Sequence, residues 1–291
     1  MNRFLRVAPL FVTLAACGGS TVEIGAYNGA DAGKPDGASA TPDGGVLPAG
    51  PKVHIHLRAT GAPVAHADGL SGQTPSDQRI GIRKLTMLRS AGDTSPMVVF
   101  DLGANAVEAG LNDKDDTVVA SVPAATLQAG KFTVARVAIA HVRYKVAATM
   151  HAAGQNVPGV FSNLQVLSNG SSVDGATFDK GHYKFSFEVG GSSLGGQTGE
   201  SGPLPQAPSG GGITLDTSGP ESAYVFPIDI PVGPTVKSDV NIVFELNTHE
   251  NFRWQDEASP DYQTGVFDVT PTTFEPVKSF GANSFRVFAE L

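Results

Sequence analysis

The chain has 291 residues, of which 41% are hydrophobic, and its 28 acidic against 20 basic residues give a formal net charge of −8. An acidic chain without a cluster of Lys or Arg is repelled by the phosphate backbone of nucleic acids. Nucleic acid is therefore excluded as a partner. A single cysteine excludes an internal disulfide, so the fold depends on core packing, and the length suffices for one large or two small cores.

The first 17 residues carry a targeting pattern. Arg3 and Arg6 precede an apolar stretch, Val7–Leu14, and Leu14-Ala15-Ala16 leads directly into Cys17. This pattern resembles the signal peptide and lipobox of bacterial lipoproteins. The resemblance implies that residues 1–16 are removed and that Cys17 is lipidated. An ordinary secretory signal or a short membrane anchor is the alternative, but the apolar run is far below the about 18–20 residues that span a bilayer.

The resemblance also implies a location. The protein would be exported and held by its lipid to a bacterial membrane, and Gly18 favours the outer membrane because it is not the aspartate that resembles an inner-membrane retention signal. The following segment, residues 18–51, holds nine glycines, six alanines and four prolines. It buries too little apolar surface to offset its conformational entropy, so residues 17–51 are predicted to form a disordered tether.

From Lys52 onward the pattern is that of β-strands without helices. Val53, Ile55 and Leu57 alternate with polar residues, as a half-buried strand requires. Further strands are predicted at Ile80–Leu88, Met97–Leu102, Thr117–Val122, Lys131–Met150, Val160–Leu167, His182–Val189, Ser222–Asp229, Val240–Asn247, Phe252–Gln255, Gly265–Val269 and Ser284–Glu290. In the middle of Lys131–Met150 the alternation is lost, because odd- and even-numbered positions both turn apolar. This predicts a long bent strand that is covered on both faces.

These elements predict an all-β protein, an antiparallel β-sandwich spanning residues 52–291. The tract Gly190–Gly212 holds nine glycines and three prolines and is predicted to be a flexible loop. One large sandwich is favoured. The alternative is two smaller sandwiches divided at this tract.

Two histidines on the first strand are candidate metal ligands. His54 and His56 lie two residues apart, so their side chains project from one face, a geometry that zinc and copper sites use. A third ligand would have to come from His66, His141, His151 or His182. The alternative is an exposed pair that binds no metal.

A second candidate site follows His249. Trp254, Asp256, Glu257 and Tyr262 combine aromatic rings with carboxylates, as surfaces that bind sugars or protein partners do, and the carboxylates also suit calcium. A lone tryptophan is more often part of a core. We therefore expect Trp254 to be buried.

No catalytic motif is convincing. Gly191-Ser192-Ser193-Leu194-Gly195 has the spacing of a hydrolase nucleophile elbow but lies in a glycine tract without a helix, and His249-Glu250 lacks the second histidine of a zincin motif. The sequence thus favours a non-enzymatic, lipid-anchored β-sandwich without a cofactor, which binds an envelope protein or glycan or has a structural role. A periplasmic metal-binding or metal-delivery protein and a carbohydrate-active enzyme using Asp256 and Glu257 are the alternatives.

Overall fold

The structure is a computed structural model that describes residues 50–202, 204–205, 212–232 and 236–290. These residues belong to one compact unit. The predicted signal peptide, Cys17 and all but the last two residues of the predicted tether lie outside the described residues.

The described chain consists of strands and one short 3-10 turn, Ala124–Thr126. In chain order the strands are β1 (Lys52–Thr60), β2 (Ser71–Gln73), β3 (Asp77–Leu88), β4 (Met97–Asp101), β5 (Val107–Gly110), β6 (Asp116–Pro123), β7 (Gly130–Ala152), β8 (Gln155–Val166), β9 (Ser171–Val173), β10 (Ala176–Phe178), β11 (Tyr183–Val189), β12 (Ser192–Gly199), β13 (Thr214–Asp216), β14 (Ser222–Val232), β15 (Val240–Asn247), β16 (Phe252–Trp254), β17 (Asp268–Val269), β18 (Val277–Ser279) and β19 (Ser284–Glu290).

Strand β7, 23 residues long, organises the largest sheet. One of its edges pairs with β14 and then with β8, and the other pairs with β3 and, near its end, with β17. Its middle, from Val137 to His141, is buried at every residue. The prediction of a long strand covered on both faces is therefore confirmed, and its pairing with β3 contains register shifts.

Four sheets form the described part of the molecule. The ten-stranded sheet runs β12-β11-β8-β7-β14-β13, with β3 joining β7 and carrying β4 and β5. A four-stranded sheet has the order β19-β15-β1-β6, in which β1 and β15 are parallel. The order β18-β16-β2 makes a three-stranded sheet, and β9 pairs with β10.

Two groups of buried apolar residues fill the fold. The first joins the four-stranded sheet to one part of the ten-stranded sheet and includes Ile55, Phe132 and Phe244. The second contains Val146, Phe161 and Trp254 and lies between another part of the ten-stranded sheet and the three-stranded sheet. Because β7 contributes to both groups, the two cores share their longest strand.

The all-β class and the β-sandwich architecture are thus confirmed. Strands from before and after the tract Gly190–Gly212 pair in the three larger sheets, so the tract does not divide two sandwiches. The tract itself differs from the predicted loop, because Ser192–Gly199 forms the edge strand β12 beside β11. Among the described residues, no helix is long and apolar enough to cross a membrane.

Candidate metal centre

Two loops meet at one end of the four-stranded sheet. Strands β1 and β15 are parallel neighbours, and their last residues, Thr60 and Asn247, occupy the same register position. The Thr248 N–H donates to the Thr60 carbonyl oxygen at 3.0 Å. Parallel strands end at the same edge, so the chain leaving β1 and the chain leaving β15 run side by side.

Asn247 holds these two loops together. Its buried amide donates from Nδ2 to the Ala62 carbonyl oxygen at 2.8 Å, and its Oδ1 accepts the His249 N–H at 3.1 Å. The Asn283 amide donates both to Asn247 Oδ1 and to the His249 carbonyl oxygen. A buried amide with its donors and acceptors satisfied fixes local geometry, so these contacts define the position of the turn at His249.

The two loops bring together His66, His249 and Glu250. Each offers one ligand atom, and these three atoms lie within 4.8 Å of one another. All three residues are half-buried. In a tetrahedral zinc site with Zn–N distances of about 2.0–2.1 Å, ligand atoms are about 3.3 Å apart, so metal binding requires them to close by at most roughly 1.5 Å.

The imidazole rings are already aligned. Their centroids are 6.5 Å apart and their planes differ by 9°. His66 Nε2 lies 3.4 Å from the His249 carbonyl oxygen, and because a carbonyl only accepts, a hydrogen bond here requires the tautomer that is protonated at Nε2. A ring N–H directed at a backbone carbonyl is the usual outer contact of a metal-bound histidine. The Val64 N–H donates to His249 Nδ1 over a long 3.3 Å, a bond that a metal at this nitrogen would replace.

Glu250 is held by its backbone and by a buried guanidinium. It has a left-handed φ of 44°, uncommon for a side chain of its size, and its N–H donates to Thr74 Oγ1 at 2.7 Å. Arg253 Nη1 lies 3.6 Å from Glu250 Oε2. The same guanidinium bonds to Asp68 and to the Leu70 carbonyl oxygen, and it lowers the pKa of Asp68. Arg253 thereby joins the loop that carries His66 to the strand after Glu250.

His66 and His249 differ from the other five of the seven histidines. Each of those five lies beside a carboxylate: His54 beside Asp239 at 3.5 Å, His56 beside Asp116 at 2.8 Å, His141 beside Glu108 at 2.8 Å, His151 beside Asp268 at 2.7 Å and His182 beside Glu200 at 2.9 Å. An imidazole engaged in this way is part of the local polar network. The pair His66 and His249 instead face each other next to Glu250.

The predicted pair His54 and His56 does share one face of β1, but among the described residues the pair does not belong to any group of three ligand atoms close enough to hold a metal. His54 Nδ1 contacts Ser121 Oγ at 2.8 Å, and the Asp116 carboxylate that bonds to His56 also accepts from Arg58. Of the four histidines predicted as a possible third ligand, only His66 belongs to a group of three potential metal ligands in the described chain. Its partners are His249 and Glu250, which follow β15, and not His54 and His56 on β1. The sequence does not reveal that β1 and β15 are neighbours, and this pairing is what brings His66 close to His249, 183 positions later.

Trp254 is buried, with 1% of its surface exposed, as the core interpretation predicted. Its ring packs against Phe252 and Phe267, and Nε1 donates to Asp256 Oδ1 at 3.2 Å. Asp256 also accepts from Ser71 Oγ and from the Gly265 N–H. The alternative of an indole platform for sugars is therefore wrong, because the ring has no accessible face.

The remaining members of that predicted site are dispersed. Glu257 is exposed, and its N–H donates to buried Glu275, whose pKa is raised by burial. Tyr262 packs against the His151 ring with centroids 4.9 Å apart. The carboxylates of Asp268 and Glu275 accept backbone N–H groups that fix the loop after Trp254. These hydrogen bonds give the two carboxylates a structural role in the loop.

Family models, curated proteins and solved structures were each compared with this chain, and none matched it.

We expect Trp254→Ala to lower the free energy of unfolding by about 3–5 kcal/mol, since it leaves a large cavity among aromatic rings. Urea denaturation measures the change. The control is Val98→Ala, at a side chain that is 51% exposed, where the expected change is below about 0.5 kcal/mol. Strong acrylamide quenching of the native tryptophan would contradict the buried position.

His151 predicts a pH dependence of stability. Burial opposes its charge, but hydrogen bonds to Asp268 Oδ1 and Asn156 Oδ1 outweigh burial, and the pKa of His151 is raised. A histidine whose pKa is higher in the folded than in the unfolded state stabilises the fold when it is protonated. This contribution is complete below the unfolded-state pKa of about 6.5 and is lost as the pH rises through the folded-state pKa. The stability difference between the native protein and His151→Gln should therefore be largest near pH 5.5 and decline at alkaline pH. Urea titrations across this range that give a constant difference would refute the assignment.

Proposed function

We propose that this chain is an exported, lipid-anchored β-sandwich protein that binds a divalent transition metal, best Zn²⁺, through His66, His249 and Glu250. The observation that carries the proposal is the convergence of these three side chains, with ligand atoms within 4.8 Å, from two loops that leave neighbouring parallel strands.

The ligand set selects the class of metal. Two imidazoles with one carboxylate match sites that hold zinc with three protein ligands and leave one position for water or another molecule. Copper prefers the same donors and binds more tightly to most nitrogen sites, whereas calcium takes six to eight oxygen ligands. The site therefore favours zinc or copper over calcium, and we propose zinc because two imidazoles with one carboxylate form a known three-ligand zinc set.

The anchor is supported by the sequence alone. Support comes from Arg3 and Arg6, the apolar stretch Val7–Leu14 and the lipobox-like residues before Cys17, a pattern that favours a protein held in the cell envelope. Acyl chains at Cys17 would supply attachment, since two or more chains bind a bilayer stably. Metal storage or delivery next to that membrane is the activity that follows.

We expect the metal-free protein to bind one Zn²⁺ per chain, and His66→Ala or His249→Ala to weaken binding by more than about tenfold, because each removes one of three ligands. Competition with a chromogenic chelator measures the affinity. Reconstitution with Co²⁺ reports the geometry through its absorption bands.

The control is His54→Ala combined with His56→Ala, which removes two half-buried imidazoles, one more than either ligand variant, while leaving the trio intact. The control should bind as the native protein does. If this control loses the metal while His66→Ala and His249→Ala keep it, the site is on β1 and our assignment is wrong. Melting curves of every metal-free variant show whether each remains folded.

Cys17→Ser should release the protein from the membrane fraction, since the thiol is the proposed site of lipid addition and the described residues contain no membrane-spanning helix. Cell fractionation and labelling with a fatty-acid probe measure this. A labelled Cys17→Ser protein in the membrane pellet would overturn the lipid anchor and leave the metal proposal standing.

A further inference from the structure

A cavity of about 470 Å³ opens where the second core reaches the edge of the ten-stranded sheet. Its floor is formed by Phe161 and Phe187, which are almost fully buried. The edge strand β12 and the loop after Val269 form its sides. None of these elements contributes to the metal centre, so the cavity is independent of the proposed metal function.

Two exposed apolar side chains mark its mouth. Leu194 is 57% exposed and Phe274 is 37% exposed, and they are two of the four large apolar side chains that are exposed in the described chain. Large apolar side chains are usually withdrawn from water, so their pairing across one opening indicates a binding site.

The walls are aromatic and arranged to accept a ring. Phe185 and Phe274 meet edge to face at 83° with centroids 5.5 Å apart, and Phe161 lies 5.4 Å from Phe274. Aromatic pairs prefer such edge-to-face and offset geometries at 4.5–7 Å, and an added ring would extend the same packing.

Glycines keep the opening wide. A side chain at Gly195 would meet no atom within 4 Å, which locates free space at the strand that flanks the cavity. A Cβ at Gly196 would lie 2.4 Å from the Phe185 carbonyl oxygen, so β12 approaches β11 as closely as a glycine permits. The glycine-rich sequence of β12 thus both forms the strand and leaves the cavity unfilled.

The lining selects an uncharged occupant. Among the described residues, no charged side chain lines the cavity, and the hydroxyls of Thr270 and Thr273 already bond to each other at 2.7 Å. A buried charge without a partner is costly, so an ionic ligand is disfavoured. A protein partner is disfavoured as well, since a stable interface buries about 800 Å² on each side and two exposed apolar side chains offer far less.

From these observations we infer that the cavity is a binding site for a small, uncharged aromatic molecule. Its volume falls within the range of about 300–1,000 Å³ that is usual for small-molecule sites. The ligand would pack against the aromatic wall that Phe185 and Phe274 form together, on the side of the cavity that Leu194 and Gln155 also line.

The test uses the full chain carrying Cys17→Ser, which avoids detergent, and the neutral fluorescent probe N-phenyl-1-naphthylamine. Saturable binding of one probe per chain is expected. Ala152→Phe, which fills the cavity from β7, and Leu194→Asp, which adds a charge at its mouth, should each weaken binding at least tenfold. Ala176→Phe, an exposed alanine on β10, is the matched control and should leave the affinity unchanged.

If Ala152→Phe disturbs folding, Leu194→Asp still tests the inference, since Leu194 is exposed. Melting curves show whether each of the two variants is folded. An anionic naphthalene sulfonate should compete at least tenfold less well than neutral naphthalene. Absence of saturable binding, or equal binding by all variants, would overturn the inference. Equal competition by 1-decanol would overturn the aromatic class, and a dimer that Leu194→Asp dissociates would assign the surface to a second copy of the chain.

Discussion

The hydrogen bonding of β7 along both edges is the constraint on which the fold depends. Its residues pair with β14 and β8 on one edge and with β3 on the other, so a single strand belongs to the longest ladders of the molecule. Because every residue from Val137 to His141 is buried, both faces of its middle must be covered. The first core and the second core therefore form around one strand, and neither is an independent domain.

The candidate metal centre depends on a second pairing, the parallel one between β1 and β15. An antiparallel neighbour would send the chain after Asn247 toward the opposite end of the sheet, far from the loop after Thr60. The parallel register brings both ends together, and the Asn247 amide then fixes the loops against each other. The parallel direction of β1 and β15 thus brings His66 and His249 to the same end of the sheet. Side-chain hydrogen bonds then fix the distance between the two loops.

Alternation and turn residues predicted the long strands well, because a half-buried strand must alternate. Several short strands escaped prediction, among them β2 and β18, since three residues carry no period. Strand β12 was predicted to be a loop because glycines suggest freedom, whereas at Gly196 the close approach to Phe185 requires a glycine. Burial of Trp254 was predictable from its type. The metal trio was not, because the sequence pattern identifies strands without identifying their partners, and only His249 and Glu250 are neighbours in sequence.

Electrostatics supports the proposal of a cation at this trio rather than at the other histidines. The carboxylates of Glu250 and Asp68 with the guanidinium of Arg253 give a formal charge of −1 beside the two imidazoles. Elsewhere each imidazole already has a carboxylate neighbour, and a metal would have to displace that contact. At the trio, a metal would compete with Arg253 for Glu250, but Arg253 would retain its hydrogen bonds to Asp68 and the Leu70 carbonyl oxygen. Glu250 can therefore turn toward a metal without leaving a buried guanidinium unpaired, which is the costly event at such a site.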